Sequence, residues 1–294
     1  MASYKIVYTS DIHGNEIQYS KLLDFAKKVS PDAVIIGGDI APKGTSTKVF
    51  IQTQRDFLEK KLPDFAKALK KCLPNLKLFL MMGNDDCAAN RDMLERHEPE
   101  LYHVIHNKRL KLTDDFDIVG YGFVPITPFG IKDWEKFDFS IVPEHFKIPY
   151  DYRKKTGCQY WGWKSTKQGW VNFTFSADIE KKDSIQKDLE SVLFTAEPGK
   201  TVYVTHTPPY GTNLDLVGWK WHIGSMALRL FIEQRQPYLT LHGHIHETVA
   251  VSGEFKQETG RTLSLSSGNC NTKNELALLV FDLYKPGNAK RLVI

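Results

Sequence analysis

Apolar positions along the chain follow two rhythms. Short runs at Lys5–Ser10, Ala33–Ile36, Leu78–Met82, Val202–Thr205 and Leu239–Leu241 are too brief for helices and predict buried strands. Between them apolar residues return every three or four positions. Leu22, Phe25, Ala26 and Val29 predict a helix that Pro31 stops. Phe50, Phe57, Leu58, Leu62, Phe65 and Leu69 predict a longer one over Lys48–Lys71, which Pro63 kinks or splits. Asp183 or Ser184 is placed to cap a helix through Ile185, Leu189, Val192 and Leu193, ended by Pro198-Gly199. Ser225 is placed to cap another through Leu228, Phe231 and Ile232, ended near Pro237. After His246 the rhythm changes, and Thr248–Val251, Thr262–Ser266 and Leu276–Leu283 read as antiparallel strands. Strands alternating with helices predict an α/β fold.

The middle of the chain, about 124–172, follows neither rhythm. Aromatic residues (Phe129, Trp134, Phe137, Phe139, Tyr150, Tyr152, Tyr160, Trp161, Trp163, Trp170) mix there with proline, glycine and lysine. The aromatic density argues against disorder. The segment reads either as an ordered insertion packed near a site or as a small satellite core. With it, residues 1–294 are read as a single domain.

Composition and charge mainly exclude. A chain of 294 residues with 41% hydrophobic and 25% charged residues has core enough without disulfide or zinc staples. The cysteines (Cys72, Cys87, Cys158, Cys270) are widely separated, which argues against a zinc ribbon and fits a reducing, cytoplasmic setting. No apolar run approaches the length that crosses a bilayer, so no membrane partner is expected. The net charge of +4 is mild, and lysine pairs such as Lys60-Lys61, Lys70-Lys71 and Lys181-Lys182 read as solvated helix faces. Nucleic acid is therefore not an expected partner.

The chemistry lies where the strands end. They run into Asp11-Ile12-His13, Gly37-Gly38-Asp39, Gly83-Asn84-Asp85-Asp86, His206 and His242-Gly243-His244-Ile245-His246. Open α/β sheets build sites at the carboxyl ends of their strands. Aspartate, asparagine and histidine together suit a pair of divalent cations. In an extended segment residues i and i+2 project to one side, so Asp11 with His13, and His244 with His246, are expected to converge by alternation. Asp39 follows two glycines that permit a sharp turn, and its two carboxylate oxygens suit a bridge between cations. Alone, an Asp-x-His or a Gly-Asn is a turn signal. Five such strand ends in order carry the weight.

That ordered series, Asp11-Ile12-His13-Gly14, Gly38-Asp39, Gly83-Asn84-Asp85-Asp86, His206 and Gly243-His244-Ile245-His246, resembles the calcineurin-like metallophosphoesterase superfamily. The resemblance spans nearly the whole chain. It implies a two-sheet β-sandwich flanked by helices, with the metals at one edge. By motif position it assigns Asp11, His13, Asp39 and His246 to one cation and Asp39, Asn84, His206 and His244 to the other. In most of these phosphoesterases a histidine follows the asparagine and stabilises the transition state or protonates the leaving group. Here Asp85 stands in that place.

These readings predict hydrolysis of a phosphodiester or phosphomonoester by a hydroxide shared between cations about 3.5–4 Å apart. The diester is placed first among substrates, and a nucleotide is one candidate. Manganese is placed first among the metals, with iron, zinc and cobalt compatible. Asp85 and His222 are the candidate catalytic residues. His222 lies in the Pro208–Ser225 stretch, which should overhang the site beside a helix start able to bind an anion. The rival reading is a catalytically weak protein of the same fold acting as a binding module. His97, His103, His106, His145 and His242 read as surface or packing residues, and Cys87 as a small buried hydrophobe.

Overall fold

The computed structural model describes residues 3–44, 46–140, 158–270 and 274–294; His145, Tyr150 and Tyr152 lie outside them. In chain order the first strands are β1 (Lys5–Thr9), β2 (Ala33–Gly37), β3 (Lys77–Met81), β4 (His103–Val104), β5 (Arg109–Lys111) and β6 (Asp117–Tyr121). Then come β7 (Val124–Pro125), β8 (Glu135–Lys136), β9 (Trp161–Thr166), β10 (Gly169–Thr174), β11 (Thr201–Thr205) and β12 (Leu216–Val217). The last are β13 (Trp221–His222), β14 (Leu239–His242), β15 (Lys256–Thr259), β16 (Thr262–Ser266), β17 (Ala277–Asp282) and β18 (Lys285–Val293). Two six-stranded sheets result, ordered β18-β17-β1-β2-β3-β4 and β15-β16-β14-β11-β6-β5.

Side-chain alternation explains how the sheets stack. Ile6, Tyr8, Ala33, Ile35, Phe79 and Met81 of the first sheet meet Val202, Val204, Leu239 and Leu241 of the second in one buried layer. The intervening residues Val7, Val34, Ile36, Leu78 and Leu80 face outward onto Leu22 and Ala26 of α1 (Glu16–Val29) and onto Leu62, Phe65 and Leu69 of α3 (Leu62–Cys72). Val119, Tyr121 and Tyr203 pack from the other sheet against Leu228, Phe231 and Ile232 of the helix Met226–Arg235. The order is helices, sheet, sheet, helices, as the α/β sandwich reading required. β2 and β11 are covered on both faces and so are buried at every position. Among the described residues no helix is long and apolar enough to cross a membrane.

Three local expectations need correction. Thr248–Ser252 is a helix, ended by Gly253 at φ 80° with its N–H on Val249 O. Its alternation is too short to separate strand from helix, and the glycine stop decides the matter. β16 is antiparallel to β15 but parallel to β14. The segment after Ser184 is two short helices, Ile185–Leu189 and Val192–Thr195, because Ser191 interrupts it; Ser184, not Asp183, accepts the capping N–H of Lys187. Around Pro63 the long helix divides into α2 (Thr47–Asp56), a π-helical turn at Phe57–Lys61 and α3. The wider turn accommodates the proline's missing donor without breaking the run.

Candidate metal centre

β1, β2 and β3 of one sheet and β11 and β14 of the other end at the same edge of the sandwich, and each is followed by residues of the series. The turns that follow hold one another. Asp11 N–H donates to Gly38 O, His13 N–H to Asp39 O and Gly14 N–H to Ile40 O. His206 N–H donates to Tyr121 O, and Gly243 N–H to His206 O, which ties the turn after β14 to the end of β11. His244 N–H completes the ring on the Asp11 carboxylate at 3.0 Å.

Convergence does not come from extended alternation. Asp11, His13, Asp39 and His244 have φ of 55°, 47°, 52° and 67°, all left-handed. Such backbone costs about 1–3 kcal/mol per non-glycine residue and persists only where surroundings over-determine it. Gly38, at φ 102°, has no alternative: a Cβ there would lie 2.5 Å from His206 Nδ1 and 3.0 Å from Gly83 Cα.

The structure brings all seven expected ligands together. One nitrogen or oxygen from each of Asp11, His13, Asp39 and His246 falls within 4.8 Å of the others. His13 Nε2 faces His246 Nε2 at 3.3 Å and Asp39 Oδ2 at 3.5 Å, while His246 Nε2 is 3.5 Å from Asp11 Oδ1. On the other side of Asp39, Asn84 Oδ1 lies 3.1 Å from His206 Nε2 and 2.7 Å from His244 Nδ1, and His206 Nε2 is 3.3 Å from Asp39 Oδ2.

Lone pairs facing lone pairs need a positive charge between them. His206 Nδ1 lies 2.9 Å from Gly37 O, so it carries a proton, leaving Nε2 turned towards two oxygens. Without a metal, a second proton meets that need. Burial opposes it, yet the Asp39 and Asp11 carboxylates outweigh burial and push the His206 pKa up to about 10. His13 Nδ1 is buried without a hydrogen-bond partner. His244 goes the other way: burial, with His206 beside it, pulls it down to about 3, so it presents a neutral ring. These donors fit divalent cations.

The chain matches the calcineurin-like phosphoesterase family over residues 4–248. It belongs to the calcineurin-like phosphoesterases. Solved structures share the fold. TT1561 of Thermus thermophilus superposes with a TM-score of 0.55 at 17% identity, covering 100% of this chain and 99% of that one. A dimetal phosphatase from Danio rerio does so with 0.52 at 10% identity, covering 99% and 98%. No curated protein matches the chain in sequence.

Around this phosphoesterase centre stand residues that sequence reasoning passed over. Asp86 accepts from Gly83 N–H at 2.9 Å, Ile40 N–H at 3.0 Å and Ala41 N–H at 2.9 Å, clamping the loops after β2 and β3. Burial and the neighbouring Asp39 push its pKa up to about 7 against those donors. Lys43, on the clamped loop, reaches Asp85 Oδ2 at 2.6 Å. Nothing in the sequence pairs those two, because they meet only where the loops after β2 and β3 are tied together, through Asp86 and through Asp85 N–H on Asp39 Oδ1. Asp85 Oδ2 is also 4.0 Å from His13 Nδ1. Gln54 of α2 steadies the same turn, donating to Asp85 O and accepting from Cys87 N–H, and Cys87 is fully buried.

His222 is placed differently. It lies outside the ligand cluster, with its Nδ1 2.7 Å from Asp215 Oδ1 and its ring beside Tyr210. Asp215 also accepts from the N–H groups of Gly211, Thr212 and Gly224, so the whole Pro208–Ser225 stretch folds around it. The aromatic middle segment hydrogen-bonds to the turn after β3: Trp134 Nε1 donates to Asp86 O, and Asp133 and Ser165 accept from Ala88 and Ala89 N–H. His242 is a packing residue, bonded to Thr205, Thr207 and Thr240, and His106 is buried against Trp134.

Proposed function

We propose that the chain hydrolyses a small-molecule phosphoester using two divalent cations, with manganese placed first and a nucleotide among the candidate substrates. The observation that carries this reading is the Asp39 carboxylate between two sets of converging donors, His13 on one side and His206 on the other. Asp11, His13, Asp39 and His246 would hold one cation, and Asp39, Asn84, His206 and His244 the other. When bound, such a pair polarises the phosphoryl group and supplies an activated water near neutral pH. Gly37 O keeps His206 in the tautomer that offers Nε2. Lys43 and Asp85 form an ion pair at the rim, adding no net charge that would demand a dianion. That supports a diester ahead of a monoester.

Chelation is expected to abolish turnover of aryl phosphodiesters and phosphomonoesters, and added manganese to restore it, with the rate measured beside metal content. Tight metal with no turnover on any ester would favour a binding module instead.

In this reading His222 donates the proton to the leaving group. The hydrogen bond to Asp215 raises its pKa, outweighing burial. A raised pKa keeps the ring protonated to higher pH, so hydrolysis of alkyl esters should hold above the usual histidine range and then fall. His222→Gln should remove that alkaline fall and slow alkyl esters by about a hundredfold. Aryl esters with acidic leaving groups need no proton and should be nearly unchanged. Equal loss on both classes in pH–rate profiles would exclude the role.

A further inference from the structure

The loop after Asp39 carries a cation that the ligand set leaves unused. Lys43 Nζ sits 2.6 Å from Asp85 Oδ2, and Asp85 is wedged beside the centre: its Oδ1 accepts from Asn84 Nδ2 at 3.2 Å, and its Oδ2 is 4.0 Å from His13 Nδ1. The lysine side chain is 49% exposed and the aspartate 15%, so the ammonium stands between the buried centre and solvent. Its charge reaches the centre, being felt by Asp39, Asp11, His13 and His246.

Stability does not explain the pair. A half-exposed ion pair contributes little, and the two loops are already clamped through Asp86. The clamp fixes the backbone at Ile40 and Ala41, two residues before Lys43, and Asp85 then holds the ammonium, as a preorganised donor must be held. An ammonium has three N–H donors, and one on Asp85 leaves two for an anion.

We propose that Lys43, positioned by Asp85, binds a non-bridging oxygen of the substrate phosphate at the rim of the metal centre. Asp85 is then a positioning residue whose charge the lysine cancels, rather than a proton donor. The inference rests on the phosphoesterase reading above, and the test separates the two.

Inorganic phosphate is titrated by calorimetry into manganese-loaded protein, with metal content and melting temperature measured on the same samples. Lys43→Met should weaken phosphate about tenfold to a hundredfold, the worth of one charge-assisted hydrogen bond, and raise KM more than it lowers kcat. Metal content and melting temperature should not move. Lys43→Arg should restore most of the affinity, and Asp85→Asn should weaken phosphate less than Lys43→Met while keeping the metals. Wild-type phosphate affinity in Lys43→Met overturns this inference and leaves the phosphoesterase reading standing. Loss of metal along with phosphate in that variant makes Lys43 structural and overturns it equally. A wild-type protein that neither binds phosphate nor hydrolyses any ester overturns both.

Discussion

Asp39→Asn should cut phosphoester turnover at least about a thousandfold and lower the metal content of the purified protein. The variant keeps the size and one carbonyl oxygen of the side chain, so Asp85 N–H, now on Asp39 Oδ1 at 2.8 Å, still has an acceptor. What it loses is charge. Asp39 Oδ2 lies 3.5 Å from His13 Nε2 and 3.3 Å from His206 Nε2, making it the carboxylate common to both sets of donors. A neutral amide there offers one oxygen where the proposed pair of cations would need a shared anion. Initial rates with an aryl phosphodiester and elemental analysis read the two effects separately. Wild-type rates in Asp39→Asn would sink the shared-carboxylate mechanism.

Asp86→Ala should destabilise the fold by about 3–5 kcal/mol, the cost of stripping a buried hydrogen-bonded carboxylate from its partners. It is 1% exposed, so bulk water does not already solvate the three N–H groups it serves. Trp134 Nε1 bonds to the same residue's carbonyl, so the aromatic segment should loosen as well. Chemical denaturation of metal-free protein reads the loss without contribution from bound metal. A change below about 1 kcal/mol would show that other contacts, such as Gln54 on Asp85 O, hold the two loops.

The two variants act on neighbouring positions for opposite reasons. Asp39 is held in left-handed backbone and faces other ligands, whereas Asp86 faces backbone donors and ties loops. A third carboxylate, Asp85, pairs with Lys43. Each carboxylate is thus assigned by what surrounds it.

The sequence by itself determined the alternation of strands and helices and, through the family resemblance, the sandwich, and it singled out Asp11, His13, Asp39, Asn84, His206, His244 and His246 as candidate ligands. Strand periodicity is local, and a metal centre needs nitrogen and oxygen donors at strand ends, so both leave marks within a few residues. Only the tertiary structure decided how those donors converge. Asp11 and His13 meet through left-handed turns bonded to Gly38 and Asp39, a conformation no two-residue spacing encodes. It also decided that Asp86 clamps the loops after β2 and β3, and that Lys43 faces Asp85. Those outcomes depend on contacts between loops some 40 residues apart or more, such as Ile40 and Ala41 with Asp86. Such contacts exist only once the strands have brought their ends to one edge.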